Sequence, residues 1–121
     1  MKMLVVDDSG IARRNVLEDL KTHSFEEIFE AASGEEAIDL YEKHSPDLVT
    51  MDITMPGLDG LTCVTRIIDI NPSARILVIS ALGDEDTAIE AVERGASGYV
   101  CKPYTSEELN TAFDELTNLP H

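Results

Sequence analysis

Five side chains that can take part in chemistry stand where buried strands would end. They are Asp7, Asp8, Asp52, Ser80 and Lys102. Each follows a short apolar run, or directly follows another residue of this set. In open α/β sheets, functional sites lie beyond the carboxyl ends of the strands. Three carboxylates, one hydroxyl and one ammonium are therefore expected to converge on one edge of a sheet.

This set of groups is suited to phosphoryl chemistry. Three clustered carboxylates repel one another unless a cation joins them, and oxygen ligands suit the hard ion Mg²⁺. Lys102 adds a second positive charge, and Ser80 adds a hydroxyl. Such a site could hold a phosphoryl group between these groups, with a carboxylate as the nucleophile. Asp8 alone has a simpler interpretation, as the cap of a helix that begins near Ser9.

The elements that must position these groups are predicted from five short β-like runs, each followed by a helical pattern. The runs are Met3–Val6, Ile28–Ala31, Leu48–Met51, Ile76–Ile79 and Gly98–Cys101. Near-continuous apolar runs are typical of parallel strands buried on both faces. The pattern predicts an α/β fold, a single doubly wound (βα)₅ parallel sheet with helices on both faces. The run Phe25–Glu30 is the most acidic of the strand regions, which favours an edge strand.

The helices carry start and end signals. Ser33 with Glu36, and Thr105 with Glu108, fit the capping box, while Gly95 stands where a left-handed helix end is expected. Apolar residues spaced three and four apart predict one buried face per helix. These faces are Val16, Leu17 and Leu20; Ala37, Ile38 and Tyr41; Leu61, Val64 and Ile68; Ala88, Ile89 and Val92; and Leu109, Ala112, Phe113 and Leu116.

Composition limits the class of protein. The chain has 121 residues, 43% of them hydrophobic, which indicates one folded domain. Apolar runs such as Ile76–Ile79 are far shorter than the roughly 20 residues of a membrane span, so no membrane association and a cytoplasmic location are expected. The net charge of −15 argues against nucleic-acid binding. Cys63 and Cys101 are expected to be buried, reduced thiols. No metal or relay role is expected for His23, His44 or His121.

Several motifs together resemble the receiver domain of two-component response regulators. They are the Asp7-Asp8 pair, the Asp-x-x-Met-Pro-x-x-Asp-Gly stretch that begins at Asp52, the Ser80-Ala81 pair and the Lys102-Pro103 pair. The resemblance covers essentially the whole chain, so one receiver domain is expected over residues 1–121. The chain is most similar to stand-alone, chemotaxis-type members. This resemblance, and not the periodicity, implies the flavodoxin-like strand order 2-1-3-4-5.

The resemblance also implies roles for the acidic cluster. Asp52 would accept a phosphoryl group from a phosphohistidine of a sensor histidine kinase or phosphotransfer protein. Asp8 and Asp52 would bind Mg²⁺ directly, Asp7 through water, and the backbone carbonyl of Thr54 would complete the protein ligands. Lys102 would contact the phosphoryl group. Such a domain catalyses only its own phosphorylation and dephosphorylation.

The resemblance also implies a conformational switch. Ser80 would move toward the phosphoryl group and Tyr99 would turn inward, which alters the face of the fourth helix, fifth strand and fifth helix for a downstream protein target. The Lys102–Pro103 peptide bond would be cis. Tyr99 also has a plainer interpretation, as a packed ring with its hydroxyl at the surface.

Some positions depart from the commonest family pattern. Tyr104 occupies a position where Phe is usual in the family. Thr54 and Leu82 occupy positions that resemble those that control the rate of dephosphorylation in the family. The fourth helix is strongly acidic, so a flagellar-motor-type partner surface is not assumed.

Three other interpretations are consistent with parts of the pattern. A haloacid-dehalogenase-type hydrolase also uses an Asp nucleophile after a strand, but Thr54 occupies its second Asp position. A flavodoxin-like electron carrier would need a phosphate-binding loop where Asp7 and Asp8 stand. The chain is also compatible with a receiver domain excised from a longer regulator, with a DNA-binding or enzymatic output domain beyond His121.

Overall fold

Five strands and five helices alternate along the chain in the computed structural model. It describes residues 1–53, 60–81, 83 and 85–118. The strands are β1 (Lys2–Val6), β2 (Glu27–Ala31), β3 (Leu48–Asp52), β4 (Arg75–Ser80) and β5 (Gly98–Cys101). The helices are α1 (Gly10–Asp19), α2 (Gly34–His44), α3 (Gly60–Ile70), α4 (Glu85–Glu93) and α5 (Ser106–Thr117). The predicted (βα)₅ arrangement is therefore confirmed.

The strands form one parallel sheet in the order β2-β1-β3-β4-β5. This confirms the order that the family resemblance implies. Strand β3 is central, and all five of its residues are buried. Strand β2 is an edge strand, as its acidic sequence predicts, and the side chain of Ile28 is exposed there.

Two apolar cores lie on opposite faces of the sheet, because successive side chains of a strand point to opposite faces. Leu4 and Val49 belong to the core that includes residues of α2 and α3. Met3, Leu48 and Phe113 belong to the core that includes residues of α1 and α5. Burial on both faces explains why the central strands read as near-continuous apolar runs.

Helix caps follow the sequence signals in part. The Ser33 hydroxyl accepts a hydrogen bond from the Glu36 N–H at 3.2 Å, and the Thr105 hydroxyl accepts one from the Glu108 N–H at 3.0 Å. The return half of each capping box differs from the prediction. The Glu36 carboxylate accepts from the Ala32 N–H, and the Glu108 carboxylate accepts from the Thr105 hydroxyl.

The predicted buried face of α4 is partly wrong. Ala88 and Ala91 are buried, whereas Ile89 and Val92 are 46% and 40% exposed. The helix packs through small residues at the β4–β5 end of the sheet, so its larger apolar side chains face outward. Gly95 has a φ of +122°, as its predicted role at the helix end requires.

Thr50 gives a stability prediction. Its side chain is 1% exposed, and its hydroxyl oxygen has no hydrogen-bond partner within the described part of the chain. We expect Thr50→Val, which keeps the shape and removes the buried hydroxyl, to raise the free energy of unfolding by about 1 kcal/mol. Thr50→Ser is the control, because it keeps the hydroxyl and loses a methyl group. Denaturant titration measures both, and a less stable Thr50→Val protein would contradict the assignment.

Candidate functional site

The parallel register brings the sequence-predicted groups to one edge of the sheet. Val6 pairs with Met51, and Asp52 pairs with Ile79, so the ends of neighbouring strands lie at similar heights. The residues at these strand ends, or directly after them, therefore lie close together although they are far apart in the sequence. They are Asp7 and Asp8 after β1, Asp52 at the end of β3, Ser80 at the end of β4, and Lys102 after β5.

Three carboxylates form the centre of the site. One oxygen from each of Asp7, Asp8 and Asp52 lies within 4.8 Å of the other two. The side chains differ in exposure, because Asp7 and Asp52 are buried and Asp8 is exposed at the rim. Hard oxygen donors at this spacing fit a divalent cation such as Mg²⁺, whose charge would offset their mutual repulsion. This is the one cluster of potential metal ligands found among the described residues.

The loop after β1 holds Asp7 in place. The Ser9 N–H donates to the Asp7 carboxylate at 2.9 Å, and Arg13 donates to the Asp7 backbone carbonyl at 2.7 Å. Ser9 is also the N-cap of α1, since its hydroxyl accepts from the Ala12 N–H. The alternative interpretation of Asp8 as the helix cap is therefore wrong, and its carboxylate lies with the acidic cluster.

Lys102 supplies positive charge next to the two buried carboxylates. Its Nζ lies 3.4 Å from Asp52 Oδ2 and 4.0 Å from Asp7 Oδ2. Burial, with a contribution from nearby Asp52, raises the pKa of Asp7 from 3.8 to about 6. The Ser9 N–H and the Lys102 ammonium oppose that rise in the pKa. The site thus carries more negative charge than its own cation compensates.

Ser80 has a hydrogen-bond partner that the sequence did not indicate. The side chain is fully buried, and its hydroxyl donates to the Cys101 Sγ at 3.1 Å. The sequence presents Cys101 only as an apolar strand residue, so the pairing depends on the β4–β5 register, in which Ser80 lies opposite Cys101. Cys63 is buried as predicted, whereas Cys101 is only partly buried.

The segment around β5 shows three further features. The side chain of Tyr99 is 42% exposed. The Lys102–Pro103 peptide bond is cis, in agreement with the family resemblance. Tyr104 packs against the core next to α5, and its burial raises the pKa of its hydroxyl.

The described structure does not place the other residues named from the sequence at this site. Thr54, Asp59, Leu82 and His121 fall outside the described residues. The His23 ring lies 3.1 Å from the Asn110 side-chain oxygen and packs against Phe113. The His44 ring stacks on Phe29. Both rings thus make packing contacts with aromatic residues of the fold.

Comparison with known proteins agrees with the geometry. The family model described as the response regulator receiver domain matches residues 3–114. The chain belongs to this family. It is 38% identical to the chemotaxis protein CheY of Bacillus subtilis, covering 97% of this chain and 98% of that protein. Because the chain belongs to the receiver family, the hydrolase and flavodoxin interpretations are rejected.

Solved receiver structures have the same fold. A CheX–CheY complex with BeF₃ and Mg²⁺ from Borrelia burgdorferi matches with a TM-score of 0.90 and 33% identity, covering 98% of this receiver domain and 90% of that chain. NtrX from Brucella abortus matches with a TM-score of 0.88 and 30% identity, covering 95% of this chain but only 26% of that one.

Within the described ranges, no helix has both the length and the apolar character that a membrane span requires.

Proposed function

We propose that this receiver domain is a signalling switch that accepts a phosphoryl group on Asp52 and then binds a downstream protein. One observation carries the proposal. The buried Asp52 carboxylate lies beside two other carboxylates and 3.4 Å from an ammonium group. A nucleophile, a cation site and a positive charge for the transferred oxygens are thus present together. We propose that residues 1–121 form one receiver domain and that this domain acts in the cytoplasm.

The transfer step uses a phosphohistidine of a sensor histidine kinase or phosphotransfer protein as the donor. An Asp52 carboxylate oxygen attacks the phosphorus, so a P–O bond forms and the P–N bond breaks. The electron pair of the broken bond returns to the imidazole, which leaves. Hydrolysis ends the signal when water attacks the phosphorus and inorganic phosphate departs from Asp52. These are the only reactions that the domain promotes.

The acidic cluster would hold a Mg²⁺ ion. Asp8 and Asp52 would be its direct ligands, Asp7 a ligand through water, and the Thr54 carbonyl the remaining protein ligand. The bound ion would supply positive charge that offsets both the carboxylate repulsion and the charge of the phosphoryl oxygens. Lys102 provides the second positive contact for those oxygens.

Switching passes from the site to the surface through Ser80 and Tyr99. The Ser80 hydroxyl leaves Cys101 and donates to a phosphoryl oxygen, and the exposed Tyr99 ring turns inward. The surface formed by α4, β5 and α5 then differs between the two states. A downstream protein target that prefers the phosphorylated surface shifts the equilibrium toward it. The related CheY bound to CheX supports a protein partner in general.

Intact-mass measurement tests the proposal. We expect one phosphoryl adduct after incubation with Mg²⁺ and a small phosphodonor such as acetyl phosphate, and no adduct with a chelator. Peptide mapping should place the adduct on the peptide that contains Asp52. Failure to form an adduct with any phosphodonor, by a folded protein with Mg²⁺ present, would refute the proposal.

A second candidate is a receiver domain that belongs to a longer regulator. The match to NtrX supports it, because the matched part is about a quarter of that chain. The full open reading frame distinguishes the two. A downstream coding segment that continues in frame beyond His121 identifies an output domain.

Cys101 gives a prediction about the switch. Cys101→Val keeps a compact apolar side chain, slightly larger than Cys, and removes the acceptor of the buried Ser80 hydroxyl, so the unphosphorylated arrangement alone loses a hydrogen bond. The equilibrium then favours the arrangement in which Ser80 faces the phosphoryl group. We expect phosphorylation by a small phosphodonor to become about three- to tenfold faster. Cys101→Ser keeps an acceptor and should stay near the wild-type rate, and equal rates in all three proteins would contradict the prediction.

A further inference from the structure

The surface of α4 and β5 carries exposed apolar side chains. Ile89, Val92 and Tyr99 are 46%, 40% and 42% exposed, and we call these three residues the apolar strip. Val100 packs into the core beside α5, so its neighbour Tyr99 points to the opposite face of the sheet, where α4 lies. Ile89 and Val92 are three apart on α4 and therefore share one side of that helix. Because α4 packs against β5, the three exposed residues lie on neighbouring elements at one end of the sheet.

An open depression adjoins the strip between β5 and α5. It has a volume of about 680 Å³, and Tyr99 and Cys101 form part of its wall. Its other lining residues include Glu107, Glu108 and Glu115, all on α5. The depression thus offers apolar area at the strip and negative charge along α5.

The surrounding charge has one sign. Helices α4 and α5 carry four acidic residues each, and neither helix nor β5 contains a Lys or Arg. Arg94, just beyond α4, is paired with Glu90 at 3.2 Å. Among the described residues, no cation pairs with Glu93, Glu107 or Glu115. These carboxylates are therefore available to a partner.

We infer that the downstream target binds this surface through a cationic, amphipathic protein segment, with apolar residues on the strip and Lys or Arg facing the acidic residues. The inference rests on the proposed output role of this face. Burial of apolar area supplies affinity, and charge complementarity selects the partner and speeds its association. An acidic protein segment would be repelled by the carboxylates of this surface. A second copy of this chain would also be repelled, because a twofold contact through this surface places the acidic residues of one copy against those of the other.

Binding of model peptides tests the inference. The probes are a helical peptide of Leu and Lys and the same peptide with Glu replacing each Lys. They are titrated against the full chain with Mg²⁺, with and without phosphodonor, after mass measurement has verified the adduct. We expect binding of the Lys peptide, tighter to the phosphorylated protein, and at least tenfold weaker binding of the Glu peptide. An adduct without Lys-peptide binding refutes this inference and leaves the proposed function intact.

Matched charge variants locate the binding surface. The combination Glu93→Gln, Glu107→Gln and Glu115→Gln removes three charges from the face. The combination Glu35→Gln, Asp39→Asn and Glu42→Gln removes three charges from α2, which packs at the β2 end of the sheet. We expect the first to weaken Lys-peptide binding about tenfold, with a shallower salt dependence, and the second to change it less than twofold. Equal losses would mean non-specific attraction and would refute the inference.

The apolar strip has its own test. Ile89→Ser removes exposed apolar area from α4 without changing charge, and we expect it to weaken Lys-peptide binding severalfold. Ile28→Ser is the matched control, because Ile28 is also 46% exposed but lies on the edge strand β2. Sedimentation measurements of the phosphorylated chain complete the set. A dimer disrupted by Ile89→Ser, or preference for the Glu peptide, would refute the inference.

Discussion

Asp52→Asn is expected to abolish phosphorylation, the largest single effect predicted for this protein. The amide has the shape of the carboxylate but lacks the charged oxygen that attacks phosphorus. The side chain is 3% exposed at the end of β3, so the substituted residue keeps its place in the sheet. Loss of a nucleophile, unlike loss of a positioning contact, leaves no slower route at the same atom. We expect at least a thousandfold lower rate of adduct formation.

Two variants separate this effect from a general disturbance of the site. Asp39→Asn makes the same chemical change at an exposed position of α2 and should be phosphorylated at the wild-type rate. Ser80→Ala removes a neighbouring hydroxyl and should still form an adduct, only more slowly. The rates are followed by intact mass with saturating Mg²⁺. Wild-type labelling of Asp52→Asn on the same peptide would show that another residue is the phosphoacceptor.

Without metal, the protein is expected to lose stability as the pH rises from about 4 to about 7. The folded-state pKa of Asp7 is raised from 3.8 to about 6, chiefly by burial and then by the charge of Asp52. In this pH range the Asp7 carboxyl binds more protons in the folded protein than in the unfolded chain. Folding is therefore linked to proton uptake. The stabilisation is complete below about pH 4 and is lost as the pH passes through about 6, with an amplitude of about 2 to 3 kcal/mol.

Asp7→Asn isolates this contribution. The amide oxygen can still accept the hydrogen bond from the Ser9 N–H, but the side chain no longer titrates. We expect Asp7→Asn to be more stable than wild type at pH 7.5 in chelator and to have a flatter pH dependence. Excess Mg²⁺ should stabilise wild type by mass action and the variant less.

Urea unfolding at several pH values, with chelator and with Mg²⁺, provides the measurement. Exposed Asp39→Asn is the control and should follow the wild-type curve. If the free energy of unfolding depends on pH in the same way for wild type and Asp7→Asn, burial of the charged Asp7 carboxylate has no free-energy cost. A metal-free Asp7→Asn protein less stable than wild type at pH 7.5 would mean that attraction to Lys102, 4.0 Å away, outweighs burial and repulsion from Asp52.

The strands and the convergence of the site were predictable from the sequence. Runs such as Leu48–Met51 are apolar because β3 is buried on both faces, so their composition reports their position in the sheet. Parallel strands present their carboxyl ends at one edge, which brings Asp7, Asp52 and Lys102 together without knowledge of the helices. Local spacing and one topological rule were sufficient for these features. The strand order came from the family resemblance.

Other features were decided by contacts between elements. Periodicity predicted burial for Ile89 and Val92, but which side of α4 is covered depends on how it packs at the end of the sheet. The Ser80–Cys101 hydrogen bond depends on the β4–β5 register, and the raised pKa of Asp7 depends on its burial next to Asp52. A pattern along one segment describes only that segment. Exposure, hydrogen-bond pairing and pKa depend on what lies opposite, and only the tertiary structure specifies that.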